Sequence, residues 1–165
     1  MTLDITDNPQ LLSAVLDSIT AGLAIADANG ILRYVNRRLA EMFGGSPQDM
    51  VGHSASEFVR GEAVEILESN LRARAEGKTT EYEIHQVTKD GEDVYMKVSG
   101  TPIFIDGEFV GSVAIVTDVT SYKAVEQALR ESEERYRSLV NASPYAIFLI
   151  DLDGKIIMLN REAQA

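Results

Sequence analysis

The sequence contains an internal repeat, and this repeat limits the possible folds more than any other feature. Residues 16–30 (LDSITAGLAIADANG) reappear as residues 140–154 (VNASPYAIFLIDLDG), at a constant offset of 124 residues. The same offset continues to the pair Asn36 and Asn160. Because solenoid repeats have periods of roughly 20 to 50 residues, this spacing predicts tandem domains. The second copy covers only two predicted strands and the start of a helix, so we expect the chain to be part of a longer protein.

Between the two copies, the sequence predicts one long helix over residues 121–141. Apolar or aromatic residues recur there at spacings of mostly three, four and seven, with no intervening Gly or Pro. They are Tyr122, Val125, Leu129, Tyr136, Leu139 and Val140. Such a stripe suits pairing with another helix, so we predict a homodimer through this helix; an ordinary surface helix is the alternative. Thr120 or Ser121 is the expected N-cap.

The composition excludes several classes of function. A formal charge of -11 and a pI near 4.6 argue against nucleic acid or an anionic membrane surface as a partner. The absence of Cys excludes disulfides, thiolate metal sites and cysteine-adduct photochemistry. The longest strongly apolar run, residues 145–150, is far too short to span a bilayer. We therefore expect a soluble, cytoplasmic segment that makes no membrane contact.

Before the long helix, the hydrophobic patterns predict an α+β fold, in which a five-stranded antiparallel sheet has helices on one face. Strands are predicted over residues 22–28, 31–35, 79–88, 92–105 and 108–119, with turns at Asp27 to Gly30, Asp90–Gly91 and Asp106–Gly107. Asp7 or Asn8 is expected to begin a short helix with Leu12, Val15, Leu16 and Ile19 on one face, which we expect to contribute to the dimer. Asn36 is predicted to cap a helix over residues 37–43, and single helical turns are expected near residues 47–52 and 56–59. Residues 62–76 are predicted to form a longer helix with Val64, Leu67, Leu71 and Ala75 facing inward.

Several short motifs, in this order along the chain, resemble a known family. They are Ile25 to Gly30 with Tyr34–Val35–Asn36, Asp49 to Gly52, Lys89–Asp90–Gly91, Gly111–Ser112–Val113, Asp118–Val119–Thr120 and the helical segment Glu131 to Val140. Together they resemble a PAS domain of the kind found in tandem in sensor histidine kinases, diguanylate cyclases and related regulators. The resemblance covers residues 12–120, and a second PAS domain begins near Glu133.

The resemblance implies a sheet that curves around a cavity closed by the helices, which holds a ligand, a cofactor or nothing. Because alternate strand residues face the helices, the inward positions follow from the sequence. The expected cavity lining is Ala24, Ala26, Leu39, Phe43, Phe58, Leu67, Tyr82, Ile84, Gln86, Met96, Val98, Ser112 and Ala114. Gln86 is of particular interest because a buried amide needs hydrogen-bond partners; a ligand, the backbone, water or an end-of-strand position each satisfies it.

The cofactor of such a cavity is unknown from the sequence, although two common ones are disfavoured. Haem needs an axial His, and residues 62–76 contain none, while His53 and His85 are expected on the surface. Flavin of the LOV type is excluded by the lack of Cys, and no Trp is present to stack on a non-covalent flavin. No phosphate loop, phosphoacceptor box, hydrolase triad or metal-ligand spacing supports an enzyme in this segment.

The resemblance implies a sensory, signal-transmitting module of a multidomain regulator, most often a sensor histidine kinase. A small ligand or a partner would bias the sheet, and Asp118 and Thr120 would relay that bias to the dimeric helix. The expected organisation is a PAS sensor domain over residues 1–120, a linker helix over 121–141 and the start of a second PAS domain over 142–165. A ligand-free dimerisation and spacer module is the alternative.

Overall fold

The computed structural model describes residues 8–87 and 91–164, and these form two compact units that divide between Thr120 and Ser121. The first unit begins with helix α1 (Pro9–Ser18) and the hairpin of strands β1 (Gly22–Asp27) and β2 (Leu32–Val35). The helices α2 (Arg37–Met42), α3 (Pro47–Met50), a 3-10 turn (Ala55–Phe58) and α4 (Glu62–Ala75) follow. Strands β3 (Thr80–Val87), β4 (Asp93–Ile105) and β5 (Glu108–Asp118) complete this unit.

The five strands form one antiparallel sheet in the order β2-β1-β5-β4-β3, which confirms the predicted α+β fold. The N-terminal strand β1 lies between β2 and β5, so the first hairpin is joined to the last three strands. Strand β3 alternates as predicted, with Tyr82, Ile84 and Gln86 more buried than their neighbours Glu83 and His85. The core lies between this face and the helices, where α2 packs so closely on Gly22 that a Cβ there would lie 2.8 Å from Leu39 Cδ1.

The second unit contains helix α5 (Thr120–Asn141) from Ser121 onward, a hairpin of β6 (Phe148–Ile150) and β7 (Ile156–Leu159), and a 3-10 turn (Arg161–Ala163). Most of its predicted apolar stripe is left uncovered by the residues that the structure describes: Tyr122, Val125, Leu129, Tyr136 and Leu139 are each more than half exposed, and Val140 is partly buried. The hairpin also exposes apolar side chains, including Phe148 and Ile157. No helix within the described ranges has the length and apolarity to cross a membrane.

One buried asparagine ties each copy of the repeat together. Asn36 is fully buried, and its side chain accepts from two backbone N–H groups and donates to two carbonyls. The four partners are Leu23 N (2.9 Å), Leu39 N (3.0 Å), Ala21 O (3.0 Å) and Leu16 O (3.3 Å). The predicted N-cap is therefore confirmed by the bond to Leu39, and the same amide also links α1, β1 and α2.

The second copy repeats this arrangement bond for bond. Asn160 is fully buried as well, and each of its four partners lies 124 positions after a partner of Asn36. These partners are Ile147 N (2.8 Å), Ala163 N (3.0 Å), Tyr145 O (2.9 Å) and Val140 O (3.1 Å). Val140 lies in the last turn of α5, just as its counterpart Leu16 lies in α1. The end of α5 therefore contacts the asparagine of the second copy in the same way that α1 contacts the asparagine of the first copy.

Some boundaries differ from the predictions. Thr120 is the first residue of α5, and neither it nor Ser121 is the N-cap. Ala75 is exposed although we predicted it to face inward, and its neighbour Arg74 is buried instead. Asn8 caps α1 with its side chain. The alternative cap Asp7, and residues 88–90 with the Lys89 and Asp90 positions of their predicted motif and turn, lie outside the described residues.

Candidate functional site

The inner face of the sheet is unusually low in side-chain volume along one line across four strands. Ala24 of β1 is opposite Ala114 of β5, which is opposite Gly100 of β4, which in turn is opposite Thr80 of β3. We call these four residues the small-residue row. Because none of these four residues has a long side chain, the sheet leaves space above the row. Arg74 of α4 fills this space over Gly100 and Thr80, and the cavity lies over Ala24 and Ala114.

The cavity has a volume of about 70 Å³ and lies between the sheet and the helices of the first unit. Ala24 and Ala114 of the small-residue row lie in its floor, and the ring of Phe58 meets that of Phe43 edge-on in its wall, with centroids 6.5 Å apart. Leu67, Leu71 and Arg74 come from α4, where their spacing of four and three residues places them on one helical face. The wall is almost wholly apolar, so it favours an apolar occupant over bulk water.

The structure brings eleven of the thirteen predicted lining residues together around this cavity. They are Ala24, Ala26, Leu39, Phe43, Phe58, Leu67, Tyr82, Ile84, Val98, Ser112 and Ala114. Seven others complete the lining and were absent from the predicted set: Leu32, Met50, Ala55, Val59, Leu71, Arg74 and Val116. Alternation in strands identified the floor well, whereas the short helices gave no periodic signal long enough to orient residues such as Met50 and Ala55.

Gln86 and Met96 lie outside the cavity, contrary to their predicted place in its lining. Strand β5 ends at Asp118, opposite Met96, whereas Gln86 is opposite Val94, beyond the end of β5. Gln86 therefore lies where only β3 and β4 continue, and it is partly exposed. Met96 is completely buried and belongs to the packed core beside the cavity.

Arg74 is the charged residue of the lining, and it is only 2% exposed. Its Nε donates to Thr80 Oγ1 at 2.9 Å, its Nη2 lies 3.5 Å from the Tyr82 hydroxyl, and its Cζ lies 5.8 Å from the centre of the Tyr82 ring. Its guanidinium lies on the backbone of Gly100, where a Cβ would come within 1.9 Å of Cζ. Burial raises the pKa of the Tyr82 hydroxyl, against the opposing effect of Arg74. The glycine is thus the residue that makes room for this cation.

The junction, which we define as Asp118 to Thr120, connects the floor of the cavity to α5. Val119 N donates to Tyr95 O at 2.8 Å, and Tyr95 N donates to Thr120 Oγ1 at 3.0 Å, so two hydrogen bonds hold the start of α5 to β4. Asp118 Oδ1 accepts from Thr120 N at 2.9 Å. The hydroxyl of Thr120 and then its N–H hold the pKa of the Asp118 carboxyl below its ordinary value of 3.8, against a weaker desolvation effect.

Both histidines lie outside the cavity lining. His53 Nδ1 is 3.1 Å from Glu57 Oε2, and His85 pairs with Asp93 and stacks on Tyr95. Both side chains are about half exposed. Within residues 8–87 and 91–164, no group of three His, Asp or Glu side chains is arranged to hold a metal ion.

Comparison with known proteins identifies the family to which this fold belongs. A family model described as "PAS fold" matches residues 16–124, and another described as "PAS domain" matches residues 134–165. Since the first match covers more than half of the chain, the chain belongs to the PAS family.

Among curated proteins, the chain is similar to two kinases of Bacillus subtilis. It is 27% identical over 159 residues to sporulation kinase A, covering 94% of this chain and 25% of that protein. It is 22% identical over 156 residues to sporulation kinase E, covering 94% of this chain and 21% of that protein. The chain thus spans a quarter or less of these relatives.

A solved PAS domain of a protein from Colwellia psychrerythraea has the same fold. It superimposes with a TM-score of 0.61 at 21% identity, and the match covers 72% of this chain and 99% of that one. At this identity the likeness is one of fold alone.

Proposed function

We propose that this chain is the sensory and signal-transmitting segment of a multidomain regulator of the sensor histidine kinase class. Residues 1–120 form the sensor domain, residues 121–141 the linker helix, and residues 142–165 the start of a second PAS domain. A small ligand occupies the cavity and biases the sheet, and the junction relays this bias to a dimer of α5. The similarity to two sporulation kinases supports the kinase context.

One observation carries this proposal: a single strand both lines the cavity and leads into the junction. Strand β5 contributes Ser112, Ala114 and Val116 to the lining, and two residues after Val116 it ends at Asp118. A ligand that shifts β5 relative to β4 therefore acts on the hydrogen bonds between the junction and Tyr95. A ligand changes such an equilibrium by its difference in affinity for the two arrangements.

The apolar stripe of α5 supports the dimeric part of the proposal. Its side chains are 56% to 69% exposed at Tyr122, Val125, Leu129, Tyr136 and Leu139, so the chain itself leaves them in water. Their spacing is that of a helix seam that a second α5 would cover. The proposed pair of helices has two arrangements that differ in helix shift or crossing, which gives the relay an output.

The proposal is tested by measuring thermal stability against a panel of small metabolites that includes organic acids, amino acids and nucleosides. A compound that binds the folded state raises Tm by mass action. The cavity-filling variant Ala114→Leu is expected to abolish that rise. Val113→Leu is the matched control, because it adds bulk at the neighbouring residue of β5, which is not part of the cavity lining.

The panel also distinguishes the second candidate function, a ligand-free spacer. The small volume of about 70 Å³, bounded by large rings such as Phe43, Phe58 and Tyr82, favours this candidate. If no compound raises Tm of the wild type, and native mass spectrometry finds no retained small molecule, the sensing role is wrong and the spacer stands. Hydrogen exchange at residues 118–125 that changes with an occupant would instead support the relay.

A further inference from the structure

We infer that the cavity recognises a short-chain carboxylate through Arg74, which would bind the carboxylate while the apolar wall holds the alkyl chain. This inference rests on the proposed sensing function and names the chemical class of its ligand. The ligand's carboxylate would be the missing counter-charge of a buried cation.

The guanidinium of Arg74 has few hydrogen-bond partners within the protein. A guanidinium has five N–H donors, of which one reaches Thr80 Oγ1 at 2.9 Å and one lies 3.5 Å from the Tyr82 hydroxyl. The second distance is too long for a strong bond. Both of these partners are neutral hydroxyl groups. Buried charges in proteins are ordinarily paired, because a buried charge with no counter-charge is strongly destabilising.

The residues around the cavity would favour an anionic ligand. Arg74 lies in the cavity lining, and none of the described lining residues is acidic. The whole chain has a formal charge of -11, yet the one charged residue among the described lining residues is a cation. A planar guanidinium matches a carboxylate with two parallel hydrogen bonds, which makes it selective for that group over a neutral amide.

Residues of the sheet hold the Arg74 guanidinium in a fixed position. Gly100 has no Cβ, and any side chain there would collide with the guanidinium, since a Cβ would lie within 2.1 Å of Cζ, Nη2 and Nε. Thr80 and Tyr82 hold the guanidinium from the neighbouring strand β3. The cation is therefore positioned before any ligand arrives, so little conformational freedom remains to be lost on binding.

The size and polarity of the cavity fix the rest of the ligand. The cavity is small, with a volume of about 70 Å³, so the alkyl chain is short. Apart from Arg74, the wall offers the hydroxyls of Tyr82 and Ser112 as polar groups, and the remaining lining is apolar. Propionate and butyrate fit this description, whereas a dicarboxylate would place its second charge among apolar side chains.

The test compares butyrate with its neutral analogue butyramide, each titrated into the millimolar range at constant ionic strength. Binding is read by calorimetry, by Tm and by the NMR signal of the Arg74 Nε–H group. We expect butyrate to raise Tm and shift this signal, and butyramide to bind roughly 10- to 100-fold more weakly, as a charge-assisted bond predicts. Equal binding of the two compounds, or an equal effect of inorganic phosphate, would overturn the carboxylate assignment.

Two variants locate the binding. Arg74→Met is expected to lose butyrate binding, whereas Arg72→Met, which removes a charge from the exposed face of the same helix, should bind as the wild type does. Butyrate binding that survives in Arg74→Met would refute the inference.

If Arg74→Met does not fold, Thr80→Val provides a second test, because it removes the acceptor of Arg74 Nε. It should weaken the binding of butyrate more than that of butyramide, and an equal effect on both would refute the inference. A panel compound that acts only through Ala114, with no effect of butyrate, would refute this inference and leave the sensing function intact.

Discussion

At the scale of single residues, the carboxylate of Asp118 links the stability of the junction to pH. Its pKa is lowered chiefly by the side chain of Thr120 and then by the backbone N–H of that residue. A lowered folded pKa means that the ionised form stabilises the native state. This contribution is fully present above the unfolded value, close to 3.8, and is lost as pH falls through the lower folded value.

We therefore predict that Asp118→Asn weakens the acid dependence of stability. The amide keeps an oxygen that accepts from Thr120 N–H but has no charge to titrate. The fall in Tm from pH 6 to below pH 3.8 should be smaller in this variant than in the wild type. Asp153→Asn, which removes an exposed carboxylate in the second unit, is the control. Identical pH profiles for Asp118→Asn and Asp153→Asn would contradict the role of Asp118.

From the sequence we predicted most of the strand residues that line the cavity, but we missed Arg74. Alternation along a strand has a fixed period of two, so it gave the inward positions Tyr82, Ile84 and Val98 directly. Arg74 was missed because a charged residue is assumed to face water, and the apolar Ala75 was chosen in its place. The spacing of Arg74 from Leu67 and Leu71, together with a glycine in the facing strand, is the signal that identifies it afterwards.

At the scale of elements, the exposed stripe of α5 predicts an oligomer that a single substitution weakens. Leu129 lies at the middle of the stripe and is 61% exposed in the single chain. Leu129→Glu places a charge where the partner helix would bury an apolar side chain, so we expect dimer affinity to fall about 10- to 100-fold. Light scattering and sedimentation over a concentration series measure this change.

The matched control for Leu129→Glu is Ser138→Glu, which adds the same charge on the opposite face of α5. This variant should keep the dimer affinity of the wild type. A wild-type chain that remains monomeric throughout the micromolar range would contradict the dimer. Equal weakening by the two variants would show that net charge, and not the stripe, controls the association.

The types of the elements were predictable because their periodic patterns repeat over many residues. The ends of the elements, in contrast, depended on contacts across the sheet. Strand β5 was predicted to reach Val119 but ends at Asp118, although Val119 N still bonds to Tyr95 O on the neighbouring strand. The Thr120 hydroxyl accepts from Tyr95 N, and Thr120 is the first residue of α5 instead of its N-cap. A hydroxyl that accepts from a neighbouring strand leaves no trace in the local sequence pattern.

At the scale of the whole molecule, one helix belongs to both copies of the repeat. The start of α5 is held by Tyr95 of the first copy, and its last turn is held by Asn160 of the second. The repeat was visible in the sequence as a constant offset, but its physical basis, four equivalent hydrogen bonds of Asn36 and Asn160, required coordinates. Helix α5 therefore connects the five-stranded unit to the second copy of the repeat.

This arrangement predicts that the two asparagines stabilise separate parts of the chain. Asn36→Ala leaves four backbone groups of the first copy without their partner, and we expect it to lower the free energy of unfolding of that unit by about 2–4 kcal/mol. Asn160→Ala should leave the Tm of the first unit unchanged. It should instead speed hydrogen exchange at the amide of Ile147, whose acceptor it removes.

The outcome at α5 distinguishes a shared helix from two independent ones. If Asn160 holds the last turn through Val140 O, exchange in Asn160→Ala rises at residues 138–142, and residues 120–125, held by the junction, keep their protection. Asn141→Ala, which removes only the bond from Arg161 N to the Asn141 side chain, is the matched control and should have a smaller effect. Unchanged exchange at residues 138–142 in Asn160→Ala would mean that the second copy does not stabilise the end of α5, and a signal at the junction would then have no defined route into it.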